Sequence, residues 1–171
     1  MWRFRQRRRR SVFVCYRRKP TQGDAGRIFD HLASTFGKKN VFRDIESITF
    51  GKDFVDAIDE MVSRCDAVLV VIGPNWSQDP RLQNPEDFVR REVAHALRDE
   101  VPVIPLLVQD AVMPNASELP PELAALSRIN GIVIMDQLFD AALAAITDTL
   151  RKLPQRRART RTQPVKLPAV P

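Results

Sequence analysis

In the run DFVRREVAHAL (87–97), Val89, Val93, Ala96 and Leu97 recur at helical spacing and predict a helix over 87–98. One carboxylate, Glu92, rides on it. On a wheel of 100° per residue, Glu92 falls about 60° and Phe88 about 100° from Val89, at the margin of the apolar stripe. The carboxylate is therefore expected at the edge of the core beside an aromatic ring, partly desolvated, where a functional carboxylate can sit. The alternative is a surface glutamate paired with Arg91 or with His95 one turn on, a contact worth only about 0.2–0.5 kcal/mol.

Arg17 and Arg18 follow the apolar run Ser11–Tyr16. Their guanidinium groups can clamp a pyrophosphate or carboxylate in bidentate fashion, or else form an exposed basic turn or a surface used in assembly. Asp44 closes a second apolar run, as a ligand contact or a turn-former. Trp76 lies in a proline-bearing loop, placed either to stack on a base or to lid the core. Other chemistries have no residues to run on. GxGxxG, GxxxxGK[ST] and GxSxG are all absent. Cys15 and Cys65 sit in apolar stretches without a CxxC partner or a histidine at ligand spacing, and are expected to be buried free thiols; no metal is expected. No Ser/His/Asp set emerges. His31 is expected in a solvated polar role, and His95 has no clear helper role.

The elements that must position these residues alternate. Strands are expected at Ser11–Tyr16, Asn40–Asp44, Ala67–Ile72, Val101–Val108 and Gly131–Met135. Helices are expected after an Asp24 cap in the turn Thr21–Asp24, at Asp53–Arg64, Asp87–Arg98 and Glu122–Leu126, and at Phe139–Leu153. The β-branched run AVLVVI (67–72) is the expected central strand, buried on both faces. This order implies an α/β fold with a five-stranded parallel sheet and helices on both faces. Ligands of such sheets bind beyond the carboxyl ends of the strands, which directs attention to the loops 16–24, 44–53, 73–87 and 108–121. A phospho-receiver domain shares the pattern, but the acids it needs after strands one and three are replaced by Tyr16-Arg17-Arg18 and Gly73-Pro74-Asn75.

The net charge of +6 is placed at the ends. Residues 1–10 and 151–171 hold thirteen basic groups and no acid, so the 11–150 core has fourteen basic groups against all 21 acids, a net of −7. The expected organisation is a basic disordered arm (1–10), one domain (11–150) and a basic, proline-containing disordered tail (151–171). The arms are solvated flanks or electrostatic anchors to an anionic surface. An acidic core without a recognition motif argues against specific nucleic-acid binding. With no membrane-length apolar run and no signal peptide, a cytoplasmic location is expected.

Four segments carry a family resemblance: VFVCYRR (12–18), VFRDIESITFGKDF (41–54), CDAVLVVIGPNW (65–76) and DFVRREVAHAL (87–97). Their order and spacing resemble a Toll/interleukin-1 receptor (TIR) domain, most closely the bacterial kind, to which RLQNPEDFVRREV (81–93) and VPVIPLLVQDAVMP (101–114) are also similar. The resemblance implies a flavodoxin-like fold and one of two functions. Some TIR domains are noncatalytic adaptors acting through TIR–TIR contacts. Others cleave NAD+ at the nicotinamide–ribose bond, giving ADP-ribose or cyclic products, with NAD+ as substrate and no cofactor. The resemblance places the catalytic glutamate of the second class at Glu92. It places Arg17, Arg18, Asp44, Phe54, Trp76 and Phe88 around the nucleotide, the loop 45–51 as the gating BB loop, and other TIR domains or a second copy as partners. Phe54 also shares helical spacing with Ile58 and Met61, which fits a core role. Phe88 stands where many NAD-cleaving members carry Trp, keeping the ring but losing the indole N–H.

Overall fold

Parallel strands whose every residue is apolar need cover on both faces, and the computed structural model shows how this chain provides it. It describes residues 10–43, 54–154 and 156, without the side chains of 54–58. Five parallel strands, β1 (Val12–Cys15), β2 (Val41–Arg43), β3 (Ala67–Ile72), β4 (Val103–Val108) and β5 (Ile132–Ile134), lie in the order β2-β1-β3-β4-β5. Side chains alternate between the faces. Val12 and Val14 of β1 and Ala67, Leu69 and Val71 of β3 pack on one side with α1 (Arg18–Phe36) and α4 (Phe139–Lys152). Phe13, Cys15, Val68, Val70 and Ile72 pack on the other with α2 (Phe54–Arg64), α3 (Phe88–Arg98) and a long 3-10 segment, Pro121–Arg128. All six residues of β3 are buried, as the expected central strand requires.

The expected elements are present, with local differences. The expected turn Thr21–Asp24 is helical, and Asp24 does not cap α1. Lys19, directly before Pro20, is extended (φ −126, ψ 131), as a residue preceding proline tends to be, so regular helix begins at Pro20, a favoured first position. Asp24 Oδ2 instead accepts from Gln109 Nε2 at 2.8 Å and ties α1 to the loop after β4. The long loop after β3 contains two 3-10 turns, Trp76–Gln78 and Pro80–Gln83. Helix α4 continues two residues past the expected core boundary at 150. Arg10 is also tied in, donating from Nη2 to the carbonyl of Arg151 at 3.0 Å and to that of Leu153 at the end of α4. Arg156 donates to the carbonyls of Cys65 (3.2 Å) and Asp99 (3.0 Å). The rest of both arms lies outside the described residues. No helix among the described residues is long and apolar enough to cross a membrane.

In this strand order β1 and β3 flank the point where connections reverse direction, the usual ligand crevice. Here it is partly filled. Thr21 is fully buried, and a Cβ built on Gly73 would come 2.6 Å from its Cγ2. Space, not backbone conformation, demands glycine at the end of β3. Gly73→Ala is expected to destabilise the fold by about 1–3 kcal/mol. Most of that loss should vanish in a Thr21→Ser background, which removes only the opposing methyl; urea denaturation of the four proteins reads the coupling.

Candidate functional site

The exit of β1 and the entry of α3 share one carboxylate. Asp87 Oδ2 accepts from the backbone N–H of Arg90 at 2.9 Å and caps α3, while Oδ1 accepts from Arg17 Nη1 at 2.5 Å. A side-chain cap contributes about 0.5–2 kcal/mol. Arg17 is only 4% exposed, and its carbonyl accepts from Thr21 Oγ1 at 2.9 Å. Asp79 Oδ2 lies 3.5 Å from Arg17 Nε. A hydrogen bond from the Arg81 side chain, against some burial and aided by the Arg81 amide and the charge of Arg17, holds Asp79 below the usual carboxylate range. The positive charge of Arg17 is thus already met by two acids. Its Nε and Nη2 groups have no hydrogen-bond partner among the described residues, and they suit a neutral oxygen better than another anion.

Glu92 is deeper than the sequence implies. It is 5% exposed, not at a half-wet edge. Its carboxylate lies near Cys15, the last residue of β1. Burial pushes the Cys15 thiol well up and the nearby Glu92 charge pushes it further; the thiol itself lies 4.0 Å from the Val89 carbonyl, its acceptor. The surface pairing is not adopted: Arg91 turns to Glu86 Oε2 at 2.7 Å and His95 turns to α2. Glu92, Cys15, Arg17 and Asp87 therefore gather beyond the carboxyl end of β1. Arg18 is exposed, and Phe88 is 48% exposed, one turn before Glu92. Asp44 and the loop 45–51 lie outside the described residues. Phe54 opens α2, but its side chain is not described.

Trp76 occupies a different place. Its ring is 5% exposed within the core cluster that includes Leu82, Val89 and Leu119, so it lids the core and offers no open face for stacking. It also lines a cleft of about 210 Å³ between the loops after β3 and β4, with Pro74, Asp110, Val112, Pro114 and Glu118. Its indole N–H is buried and has no partner among the described residues.

Sequence reasoning missed Asp87, Asp79 and a set joining α2 to α3. Ser63 Oγ is 2.7 Å from His95 Nε2, Asp99 Oδ2 is 3.2 Å from the same nitrogen, and Asp59 Oδ1 is 3.0 Å from Nδ1. The available signal was paired i,i+4 spacing, 59/63 and 95/99, on two helices. The set resembles a nucleophile triad but is wired otherwise. Arg98 Nη2, at 2.5 Å, and Asp59 Oδ1, at 3.0 Å, both face His95 Nδ1, so this nitrogen is held between a cation and an acid. The Ser63 hydroxyl reaches Asp99 Oδ2 at 3.2 Å as well as the ring, so it ties the histidine and the acid of α3 to α2. The two acids flank opposite ring nitrogens and converge on no metal position, and the described residues hold no metal-binding group. Likewise His31 is not merely solvated: its Nε2 is 3.0 Å from Thr147 Oγ1, joining α1 to α4. Cys15 and Cys65 are buried free thiols.

The chain belongs to the TIR domain family: residues 12–147 match its family model. Solved structures share the fold. The TIR domains of the activated Roq1 resistosome, described as directly recognising the pathogen effector XopQ, align with a TM-score of 0.64 at 13% identity, covering 82% of this chain and 99% of that one. The TIR domain of the Toll-related receptor TRR-2 from Hydra magnipapillata gives 0.58 at 15%, covering 83% and 98%. A metazoan TIR-STING receptor from C. gigas gives 0.52 at 19%, covering 81% of this chain and 40% of the receptor. A comparison with curated proteins gives no match.

Two outcomes follow. Asp87→Ala leaves the buried Arg17 only its 3.5 Å contact with Asp79 and uncaps α3; breaking a buried pair outright costs about 3–5 kcal/mol, the upper bound here. Arg17→Met with Asp87→Asn, which keeps a cap and strands no charge, should recover more than half of that loss in chemical denaturation. Burial pulls the His95 pKa down, Asp59 and Asp99 pull it up, and Arg98 lowers it again, with a net lowering. The unfolded chain then binds a proton before the folded one, so stability is fully present above the unfolded pKa of about 6.5 and is lost as pH falls below it. Melting temperature should drop between pH 7 and 5.5, and His95→Gln should flatten that segment of the profile.

Proposed function

We propose that this TIR-domain signalling protein is an NAD+ glycohydrolase of the bacterial kind, acting in signalling or defence, with Glu92 as its reacting carboxylate. The observation that carries it is a buried carboxylate at the carboxyl end of β1, on the helix where the family resemblance expects the catalytic glutamate. NAD+ cleavage makes modest demands of the protein. Nicotinamide leaves a cationic ring nitrogen as a neutral molecule and needs no general acid, so one carboxylate serves where most glycosidases use a pair. Glu92 holds the ribose hydroxyls and stabilises positive charge developing at the anomeric carbon; water or an internal nucleophile then takes that carbon, giving ADP-ribose or a cyclic product. The spare N–H groups of Arg17 suit the nicotinamide carboxamide oxygen or a ribose hydroxyl. Arg18, Asp44, Phe54 and Phe88 complete the expected nucleotide surroundings. Self-association, or association with other TIR domains, assembles the active form.

The same burial favours a second reading, a noncatalytic adaptor in which Glu92 fills the core beneath α3. Purified protein at high concentration, with and without Glu92→Gln, separates them by NAD+ loss and nicotinamide release. Catalysis predicts turnover reduced at least 10²-fold in a variant of unchanged stability. Self-association without NAD+ loss in either protein would support the adaptor.

A further inference from the structure

Both basic arms leave the domain at one point. Asp66, fully buried just before β3, accepts from the Ser11 N–H at 2.9 Å with Oδ2 and from the Arg156 N–H at 3.2 Å with Oδ1. Arg10 closes the same junction through its bonds to the carbonyls of Arg151 and Leu153. The sequence that continues from these roots has no acid: residues 1–9 hold five arginines, and residues 157–171 hold Arg157, Arg159, Arg161 and Lys166. The described surface around the junction has the same sign. All five strands are parallel, so their entries lie at one end of the sheet. The segments leading into them carry Arg10, Lys38, Lys39, Arg64, Arg98 and Arg128 against Asp66, Asp99 and Glu100. All of these basic residues except Arg10 are exposed, whereas Asp66 is buried and Asp99 turns toward Ser63 and His95. Arg64 and Arg98 share their charge with Glu60 and Asp99, and Arg151 and Lys152 at the end of α4 extend the patch. At the exit end the balance reverses: the described loops 16–19, 73–87, 109–120 and 135–138 hold six acids and four basic residues.

We propose that the strand-entry end, with both arms, docks on an anionic lipid surface and leaves the candidate site facing away from it. Clusters of about 4–8 basic groups are the usual signature of binding to an anionic leaflet. Trp2 and Phe4 alternate with Arg3 and Arg5, and aromatic rings among cations suit the headgroup boundary. The basic groups of the domain are spread over the entries of all five strands, which makes a face and not a groove. A bilayer meets a face, whereas a single nucleic-acid strand is tracked along a charged groove. The acidic exit end is repelled by the same leaflet, so the charge separation sets the orientation as well as the attraction. None of this depends on Glu92 being catalytic.

Flotation of the full chain with phosphatidylcholine vesicles, with and without phosphatidylserine, tests this. Binding should require phosphatidylserine and fall steeply with added salt. Three double variants, Arg3→Gln with Arg5→Gln, Arg159→Gln with Arg161→Gln, and Lys38→Gln with Lys39→Gln, should each weaken it at least about fivefold, the effect of one basic group near the leaflet. Trp2→Ala should weaken it with an unchanged salt dependence. Lys19→Gln, a charge lost from the exit end, should leave it as it is. Binding that survives Lys38→Gln with Lys39→Gln undiminished would show the arms acting as a bare tether and overturn the docking face. Polyuridylate bound more tightly than the vesicles at the same salt would overturn the lipid partner in favour of nucleic acid.

Discussion

The candidate site depends on one carboxylate doing two jobs. Asp87 caps α3 with one oxygen and receives Arg17 with the other. The first job fixes where the helix starts, and the second fixes that start to the end of β1. Glu92 lies five residues on, so its position over Cys15 follows from where α3 begins. Arg90 reinforces the placement from the other side, donating to the carbonyls of Leu82 and Gln83 and to Glu122. The loop after β3 and the 3-10 segment 121–128 are thereby held to the same helix. Burial makes the arrangement demanding, because an arginine at 4% exposure is tolerable only while its acids remain in place.

The site's chemistry follows from that rigidity. A carboxylate kept from bulk water interacts more strongly with a developing cation than an exposed one, since less solvent screens it. Burial and the Glu92 charge keep Cys15 in its thiol form, which is no nucleophile. Arg17, already neutralised by Asp79 and Asp87, brings hydrogen bonds without bringing net charge. Among the described residues, Asp79, Asp87 and Glu92 thus outnumber the one buried cation, Arg17, at the carboxyl end of β1.

Much of the fold was legible because its signals are local. AVLVVI reads as a doubly covered strand, and the order of strands and helices leaves few topologies. The start of α1 was misread for a local reason as well: Asp24 looks like a cap, but Pro20 sets the helix boundary and frees Asp24 for Gln109. The site was legible only in part. Helical phase put Glu92 near the core, yet its depth follows from how α3 packs on the sheet, which no periodicity within the helix reports. Asp87 only opens the expected helix in the sequence, and its bond to Arg17 exists only once β1 and α3 are neighbours. The histidine set is similar, since each i,i+4 pair is ordinary until α2 and α3 pack together.

The account turns on whether the Glu92 carboxylate meets the bond that breaks. A crystal structure of the Glu92→Gln variant with NAD+ measures this directly. The account predicts the substituted side chain at position 92 about 3–3.5 Å from the anomeric carbon or its ribose hydroxyls, the separation of a reacting pair, with the nicotinamide toward Arg17. NAD+ bound elsewhere, with position 92 still closed against Cys15, would contradict it.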